Sequence, residues 1–296
     1  MTSFALPSTD QKPQAAIIMA AGKGTRMRSK RNKILHEVAG LPMISRVVAN
    51  TLNAGIKRIV VIVGHQSEEV IELLQRDFPN TDLHWAVQAE QKGTAHAVRC
   101  AEDALSDFDG DVWILSGDVP TLSAELLRQI SAAYPKQGLI VTGMRLAEPK
   151  SYGRLLKDQE GQLIAIREAR DCSAEQLMVN EVNAGLYRVD AQLLFNGLKT
   201  IQSDNAQGEY YLTDLVEYAH LQNVQIACPV LEHEQAQELE GVNDRLDLAK
   251  AESRAQQKLA EKLLREGVTL LRPKTIRLSE RLSIAEDVTI EEDRNS

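Results

Sequence analysis

Four short apolar runs in the first half of the chain constrain its fold more than any other feature of the sequence. They are AAIIMAA (15–21), RIVVIVG (58–64), DLHWAV (82–87) and DVWILSG (111–117). Such runs are typical of strands that are buried on both faces of a parallel sheet. Segments with helical spacing lie between them, at 42–54, 67–76 and 94–105. The alternation predicts an open, mostly parallel α/β sheet.

The second half of the chain predicts further strands, a long helix and the start of a solenoid. Strand-like pieces at 138–190 are expected to cross the mouth of the first sheet, before a helical pair at 191–221 and a strand at 224–230. Helical spacing then runs from 246 to a stop at Gly267. Beyond it, Leu278, Ile284 and Ile290 repeat every six residues, as do Leu282 and Val288, the pattern of a β-helix.

These patterns predict four parts in the chain. They are a flexible tail (1–14), an α/β domain (15–245), a linker helix (246–266) and the start of a truncated β-helix (267–296). Because such solenoids need about three stacked repeats to bury their cores, the last part is expected to be incomplete.

Charge and cysteine usage exclude several classes of protein. The chain has 34 Lys and Arg against 42 Asp and Glu, a formal net charge of −8, which argues against nucleic-acid or membrane-surface binding. Its three cysteines form no CxxC pair, and no run suggests a signal peptide or a membrane span. We therefore expect reduced thiols and a cytoplasmic location. The six histidines contain no metal-spaced pair and are predicted to be structural or surface groups.

A basic, glycine-containing loop follows the first predicted strand. Between Gly22 and Lys33 it contains six cations and no acid: Lys23, Arg26, Arg28, Lys30, Arg31 and Lys33. Glycine lets backbone amides approach an anion closely, and the cations can neutralise several phosphate oxygens, which predicts polyphosphate binding. A solvated surface loop is the alternative. Neither GxGxxG nor GxxxxGK[ST] occurs, so a dinucleotide fold or a P-loop ATPase is not indicated.

A single carboxylate follows the fourth predicted strand, in Ser116-Gly117-Asp118. Open α/β sheets bind ligands at the carboxyl ends of their strands, and a lone aspartate there suits Mg²⁺, which takes its other ligands from phosphates and water. Asp118 could equally be a turn residue before Pro120. Asn243 could supply a second oxygen ligand, or could simply cap the following helix.

Eight motifs in order resemble one known family. They are AAGKGTRM (20–27), KILHEVAGLPM (33–43), QAEQKGTAHA (88–97), SGDVP (116–120), YGR (152–154), EVNAG (181–185), NAQGEYYLTD (205–214) and GVNDR (241–245). Together they resemble the uridylyltransferase domain of the bifunctional N-acetylglucosamine-1-phosphate uridylyltransferase/glucosamine-1-phosphate acetyltransferase family. The resemblance implies a Rossmann-like nucleotidyltransferase domain that forms UDP-N-acetylglucosamine and pyrophosphate from UTP and N-acetylglucosamine 1-phosphate, with Mg²⁺, for cell-wall precursor synthesis.

The resemblance also implies roles for individual residues. Arg26, Lys33 and Asp118 would be catalytic, and Asp118 and Asn243 would hold the metal. The nucleotide would lie along Met19, Ala20, Ala21 and Gly22, with Ser116 and Gly117 also binding substrate, and Gln88, Gly93 and Thr94 would hold uracil and ribose. The amino sugar would contact Gly153, Glu168 and Asn183, with Glu209, Tyr211 and Thr213 beside it. From the residues alone, Glu168 reads as a surface acid and Asn183 as a turn asparagine.

Two departures from the family pattern and three alternatives stay open. Asn32 replaces the usual proline, and Arg170-Asp171-Cys172 replaces Lys-Asp-Ala. The chain could act on another sugar 1-phosphate, be a non-catalytic nucleotide-sugar sensor, or be a structural trimerisation subunit. The resemblance implies a trimer formed through the β-helix, but the short repeat argues against that assembly and predicts no acetyltransferase activity for this sequence.

Overall fold

The computed structural model describes residues 12–291, apart from Lys23, His65, Gln66 and the side chain of Glu234. Most of the predicted tail (1–14) therefore lies outside the described residues, as do the contribution of Lys23 to the basic loop and the last residues of the predicted β-helix. Within the described part, the first strand already begins at Gln14.

The described residues form fourteen strands and nine α-helices. The strands are β1 (Gln14–Met19), β2 (Glu37–Val38), β3 (Leu41–Pro42), β4 (Arg58–Val63), β5 (Leu83–Val87), β6 (Asp111–Ser116), β7 (Leu139–Arg145), β8 (Arg154–Lys157), β9 (Leu163–Arg167), β10 (Glu181–Asp190), β11 (Ile226–Ala227), β12 (Val230–Leu231), β13 (Thr269–Leu270) and β14 (Thr289–Ile290). The helices are α1 (Met43–Asn53), α2 (Glu68–Asp77), α3 (Thr94–Arg99), α4 (Ala124–Ala133), α5 (Ala174–Leu177), α6 (Ala191–Leu198), α7 (Asp214–Leu221), α8 (His233–Gln237) and α9 (Arg245–Arg265). Short 3-10 turns occur at Thr25–Met27, Lys33–Leu35 and Asp103–Leu105.

The four apolar runs form the parallel half of one twisted sheet, which confirms the predicted fold class. The main sheet has the strand order β11-β7-β10-β6-β1-β4-β5, and β1 lies parallel between β4 and β6. Alternate residues of β1 enter opposite cores: Ala16 and Ile18 on one face, Ala15 and Ile17 on the other. Burial on both faces is the reason these strands are apolar throughout.

The second set of strands extends the same sheet, which corrects the expectation that it crosses the sheet's mouth. Strand β10 lies antiparallel between β6 and β7. Two parts of the sheet lie off the main path among the described residues: the β8–β9 hairpin, joined to β10 at Arg154 and Val182, and the short strand β12, which pairs with β7. The strand expected at 224–230 is two short strands, β11 and β12, separated by Pro229, which has no amide hydrogen to donate. Helix α3 ends at Arg99 rather than near Leu105.

The long helix and the six-residue repeat form the last packed unit. Asp244 caps α9 by accepting hydrogen bonds from Leu246 N and Asp247 N, and Gly267 ends it with φ +89°. Strands β13 and β14 pair in parallel. The apolar cluster under α9 contains Leu278 and Leu263, with Ile284 and Ile290 packed against it, whereas Leu282 and Val288 are exposed. No described helix is long and apolar enough to cross a membrane.

Candidate active site

A cavity of about 320 Å³ opens at the carboxyl ends of β1 and β6. Parallel α/β sheets bind ligands at this edge because the loops diverge there on either side of a strand. Eleven of the predicted site residues line it, together with Ile34, Gln91 and Ala97: Met19, Ala20, Ala21, Gly22, Lys33, Gln88, Gly93, Thr94, Ser116, Asp118 and Glu209. The chain thus brings most of the residues expected at the nucleotide to one cavity, together with Glu209, which was expected beside the amino sugar.

Two charged residues that line the cavity, Lys33 and Asp118, form an ion pair. Lys33 Nζ donates a hydrogen bond to Asp118 Oδ2, and the side chains are only 11% and 22% exposed. Lys33 begins a 3-10 turn, and the side chain of Asn32 accepts a hydrogen bond from Ile34 N at 3.3 Å. Asn32 therefore caps the turn that carries the lysine, which replaces the ring rigidity of proline with a hydrogen bond.

A second cation lies on the other predicted metal ligand. Arg26 Nη2 donates to Asn243 Oδ1 at 2.9 Å. A Cβ atom built on Gly241 would lie 3.6 Å from Asp118 Oδ1 and 3.8 Å from Asn243 Nδ2, so Asp118 and Asn243 border the same small space. Val242 N donates to Asp118 O at 2.8 Å and fixes this approach. The described residues contain no cluster of three or more His, Cys, Asp or Glu that could hold a metal.

The amide of Gln88 is held in a fixed environment at the opposite wall of the cavity. Its Nε2 lies 3.1 Å from Gly93 O and 3.2 Å from His96 Nδ1, and the residue is 5% exposed. Gly93 has φ +108°, and a Cβ there would lie 2.5 Å from Tyr210 O. Glycine is therefore required at this position by both backbone conformation and space.

Four of the residues predicted to bind the amino sugar form a second, connected cluster. Asn183 N donates to Gly153 O at 2.9 Å, and Thr213 Oγ1 donates to Glu168 Oε1 at 3.3 Å. Asn183 Oδ1 accepts from Gly185 N at 2.9 Å, at a register shift in β10. Burial raises the pKa of Glu168, although the hydrogen bond from Thr213 opposes this shift.

The segment 205–213 connects the two groups of residues. Glu209 lines the first cavity, Leu212 N donates to Thr94 Oγ1 at 2.9 Å, and Thr213 contacts Glu168. The hydroxyl of buried Tyr211 accepts a hydrogen bond from Gln207 at 2.7 Å, so Tyr211 supports this segment from within. One continuous stretch of backbone therefore sets the spacing between the cavity and the second cluster.

Several predicted site residues lie outside the lining of the cavity. They are Arg26, Gly117, Gly153, Glu168, Asn183, Tyr211, Thr213 and Asn243. The basic loop divides in the same way: Lys33 lines the first cavity, whereas Lys30 and Arg31 line a neighbouring one of about 650 Å³. The two cavities share Gln88, Gln91 and the Ala20–Gly22 stretch.

Sequence reasoning missed three contacts at the site. Gln91 Nε2 donates to Ala21 O at 2.5 Å and lines both cavities. His96 contacts Gln88, although its spacing suggested no site role. Asp171 Oδ1 accepts from Ala206 N at 2.8 Å and anchors the 205–213 segment. Gln91 and His96 both lie inside the QAEQKGTAHA motif, which was the available signal.

Comparison with known proteins was consistent with this geometry. The chain is 42% identical over 284 residues to the bifunctional protein GlmU of Geobacter sulfurreducens, covering 94% of this chain and 58% of that protein. It is 43% identical over 279 residues to the bifunctional protein GlmU of an Anaeromyxobacter species, covering 94% and 56%. The chain thus spans somewhat more than half the length of these curated relatives.

A solved structure shares the fold at low sequence identity. A UDP-glucose pyrophosphorylase in complex with UDP-glucose superposes with a TM-score of 0.65 at 17% identity, covering 83% of this chain and 99% of that one. The sequence profile of the Nucleotidyl transferase family matches residues 15–233. The profile covers most of the chain, and the fold and the cavity at the strand ends agree with it. The chain belongs to the nucleotidyl transferase family.

Proposed function

We propose that this chain transfers a uridylyl group from UTP to N-acetylglucosamine 1-phosphate, giving UDP-N-acetylglucosamine and pyrophosphate. A phosphate oxygen of the sugar phosphate attacks the α-phosphorus of UTP, and the bond from that phosphorus to the oxygen bridging to the β-phosphate breaks. The observation that carries the proposal is the segment 205–213, which joins a polar, lysine-containing cavity to the Glu168 cluster. Two substrates of unequal chemistry fit this arrangement.

Positioning and charge neutralisation would supply the catalysis. Both the nucleophile and the leaving group belong to substrates, so no nucleophilic side chain of the protein is needed. Lys33 and Arg26 would neutralise phosphate oxygens as charge moves to the leaving pyrophosphate. In the structure Lys33 donates a hydrogen bond to Asp118 and Arg26 donates one to Asn243. Each cation would exchange this partner for a phosphate oxygen when substrate binds.

We propose Mg²⁺ as the cofactor. Asp118 Oδ1 and the amide of Asn243 border one small space beside Gly241. Asn243 would ligate the ion through Oδ1, the atom to which Arg26 donates. Mg²⁺ commonly takes only one or two protein ligands and completes its shell with phosphates and water. The ion would screen the phosphate charges of UTP. Asp118 and Asn243 each accept a hydrogen bond from a cationic side chain, from Lys33 and Arg26 respectively, which supports the proposal that these oxygens meet positive charge.

The second cluster is suited to an amino sugar. Glu168 is a buried acceptor, and its raised pKa is caused mainly by burial. Because Asn183 Oδ1 is engaged by Gly185 N, its Nδ2 is the group left to donate to a sugar oxygen. A site built around such groups leaves them unpaired when a substrate lacks the matching atom.

The test is pyrophosphate release from UTP and Mg²⁺ with a panel of sugar 1-phosphates. N-acetylglucosamine 1-phosphate should exceed glucosamine 1-phosphate and glucose 1-phosphate by about tenfold to a few hundredfold in kcat/KM. Asn183→Asp keeps an acceptor for Gly185 N but removes the amide donor, and should narrow that gap while leaving the KM for UTP unchanged. Asn180→Ala, an exposed position on the same approach to β10, is the matched control.

Three outcomes of the panel would replace the proposal. Preference for another sugar would make the chain a different sugar-1-phosphate nucleotidyltransferase. Binding of UTP without turnover of any sugar phosphate would make it a sensor. A gap that Asn183→Asp leaves untouched would remove Asn183 from the sugar site.

We further propose that the reaction takes place in the cytoplasm and supplies cell-wall precursor synthesis. A reaction that consumes UTP depends on the cytoplasmic nucleotide pool. The three cysteines are free thiols, which accords with a reducing compartment.

A further inference from the structure

The amide of Gln88 has one orientation that its neighbours allow. Gly93 O, at 3.1 Å, is a carbonyl and can only accept. The Gln88 atom that faces it must therefore be the NH₂ group. The same Nε2 lies 3.2 Å from His96 Nδ1, and both of its hydrogens can be used only if that ring nitrogen is unprotonated.

This arrangement leaves Oε1 as the free end of the amide. Within the described residues Oε1 makes no hydrogen bond, and Gln88 lines both the first cavity and its neighbour. A carbonyl oxygen presented to a base accepts a hydrogen bond and cannot donate one. Uracil has an N3–H donor at its pairing edge, whereas cytosine has an unprotonated N3 acceptor flanked by an amino group.

We propose that His96, as a neutral imidazole, is a positioning residue that fixes the Gln88 amide so that the site accepts a uracil base and rejects cytosine. The inference rests on the proposed function and adds to it the origin of base selectivity. His96 lines neither of the two cavities that Gln88 lines. It lines a separate cavity of about 120 Å³ together with Lys92, Arg99 and Tyr210, so its proposed action on the nucleotide is through Gln88.

The surroundings of His96 favour its neutral form. Burial lowers the pKa of the imidazole, and the cationic side chains of Lys92 and Arg99 lower it further, with Glu90 opposing them. Tyr210 also lines the small cavity beside His96. In an imidazolium, Nδ1 would carry a hydrogen and face the NH₂ group of Gln88 donor to donor, so the hydrogen bond between His96 and Gln88 would be lost.

Two substitutions of similar size separate the acceptor from the bulk of the ring. His96→Leu removes the acceptor, whereas His96→Asn can place Oδ1 where Nδ1 stands. Dissociation constants for UTP and CTP would be measured by titration calorimetry with Mg²⁺ at pH 7.5. We expect His96→Leu to weaken UTP binding and to narrow the UTP-to-CTP preference, each by about tenfold. His96→Asn should recover most of the preference.

The readouts distinguish positioning from general damage. His220→Leu, at the exposed end of α7, is the matched control, and unfolding midpoints establish that each variant is folded. An unchanged UTP-to-CTP ratio in folded His96→Leu, or an equal loss in His96→Asn, would overturn the role of His96. Failure of the unmutated protein to use any sugar 1-phosphate would instead refute the proposed function, since UTP and CTP binding is measured without the sugar.

Discussion

The ion pair between Lys33 and Asp118 predicts that stability and activity respond differently to its removal. In the free protein each charge is compensated by the other inside a largely closed site, with 11% of the lysine and 22% of the aspartate side chain exposed. Lys33→Met or Asp118→Asn would leave a partly buried group without its partner. We expect each single substitution to lower the free energy of unfolding by about 1–3 kcal/mol, because the remaining group is only partly rehydrated.

The double variant Lys33→Met/Asp118→Asn should be less destabilised than the sum of the two single variants. Removing both charges also removes the desolvation cost of burying them, so we expect a coupling energy of about 1–2 kcal/mol, the range for contacting residues. For a chain of this size each kcal/mol corresponds to a shift of about 2–4 °C in the unfolding midpoint.

The assay is urea unfolding of the four proteins at pH 7 without nucleotide or metal. The exposed pair Arg128 and Glu125, with side chains 50% and 61% exposed, is the matched control. Its double-mutant cycle should give a coupling below about 1 kcal/mol. Additive losses at Lys33 and Asp118 would refute the reasoning that the pair stabilises the free site.

Activity should not follow the recovered stability. If Lys33 contacts phosphate and Asp118 holds Mg²⁺ in the working enzyme, the double variant should release pyrophosphate no faster than the less active of the two single variants. Recovery of turnover together with stability would mean that the two residues act only as a structural pair.

Two further predictions concern the backbone and the pH dependence of stability. Gly93→Ala should abolish UTP binding and lower the unfolding midpoint, because the new Cβ would lie 2.5 Å from Tyr210 O and the residue has a positive φ. In Gly22→Ala, the control, the new Cβ would meet nothing within 4 Å, so this variant should keep the fold intact. Equal midpoints of the two variants in thermal unfolding would contradict this prediction. Burial raises the pKa of Asp214 to about 6, whereas in the unfolded chain this carboxyl loses its proton near pH 4, so the free energy of unfolding should fall as pH rises from about 4 to 6. Asp214→Asn should flatten this pH dependence and raise the unfolding midpoint at pH 7. A pH dependence that is unchanged in the variant would exclude Asp214 as its source.

The grouping of Met19, Ser116 and Asp118 at one cavity could be predicted from the sequence because these residues end apolar runs or directly follow them. Met19 ends β1 and Ser116 ends β6, so the position of the strands fixes where the following glycines and Asp118 must lie. What no local pattern specified is that Lys33 pairs with Asp118. That contact joins residues 85 positions apart and depends on how the basic loop returns across the sheet edge.

The second cluster, around Glu168 and Asn183, was predicted only through the resemblance to a family, and the topology explains why. Glu168 follows the β8–β9 hairpin, Asn183 lies in β10, and Thr213 directly precedes α7. These elements meet because β10 inserts antiparallel between β6 and β7, a non-local pairing whose register is set by the whole buried face rather than by nearby residues. The register of β10 against β7 shifts between Asn183 and Leu186. At this shift the backbone amide of Gly185 donates to the side chain of Asn183. An asparagine that reads as a turn residue thereby becomes a candidate ligand group, because a bulge that re-aims a side chain is specified by the partner strands.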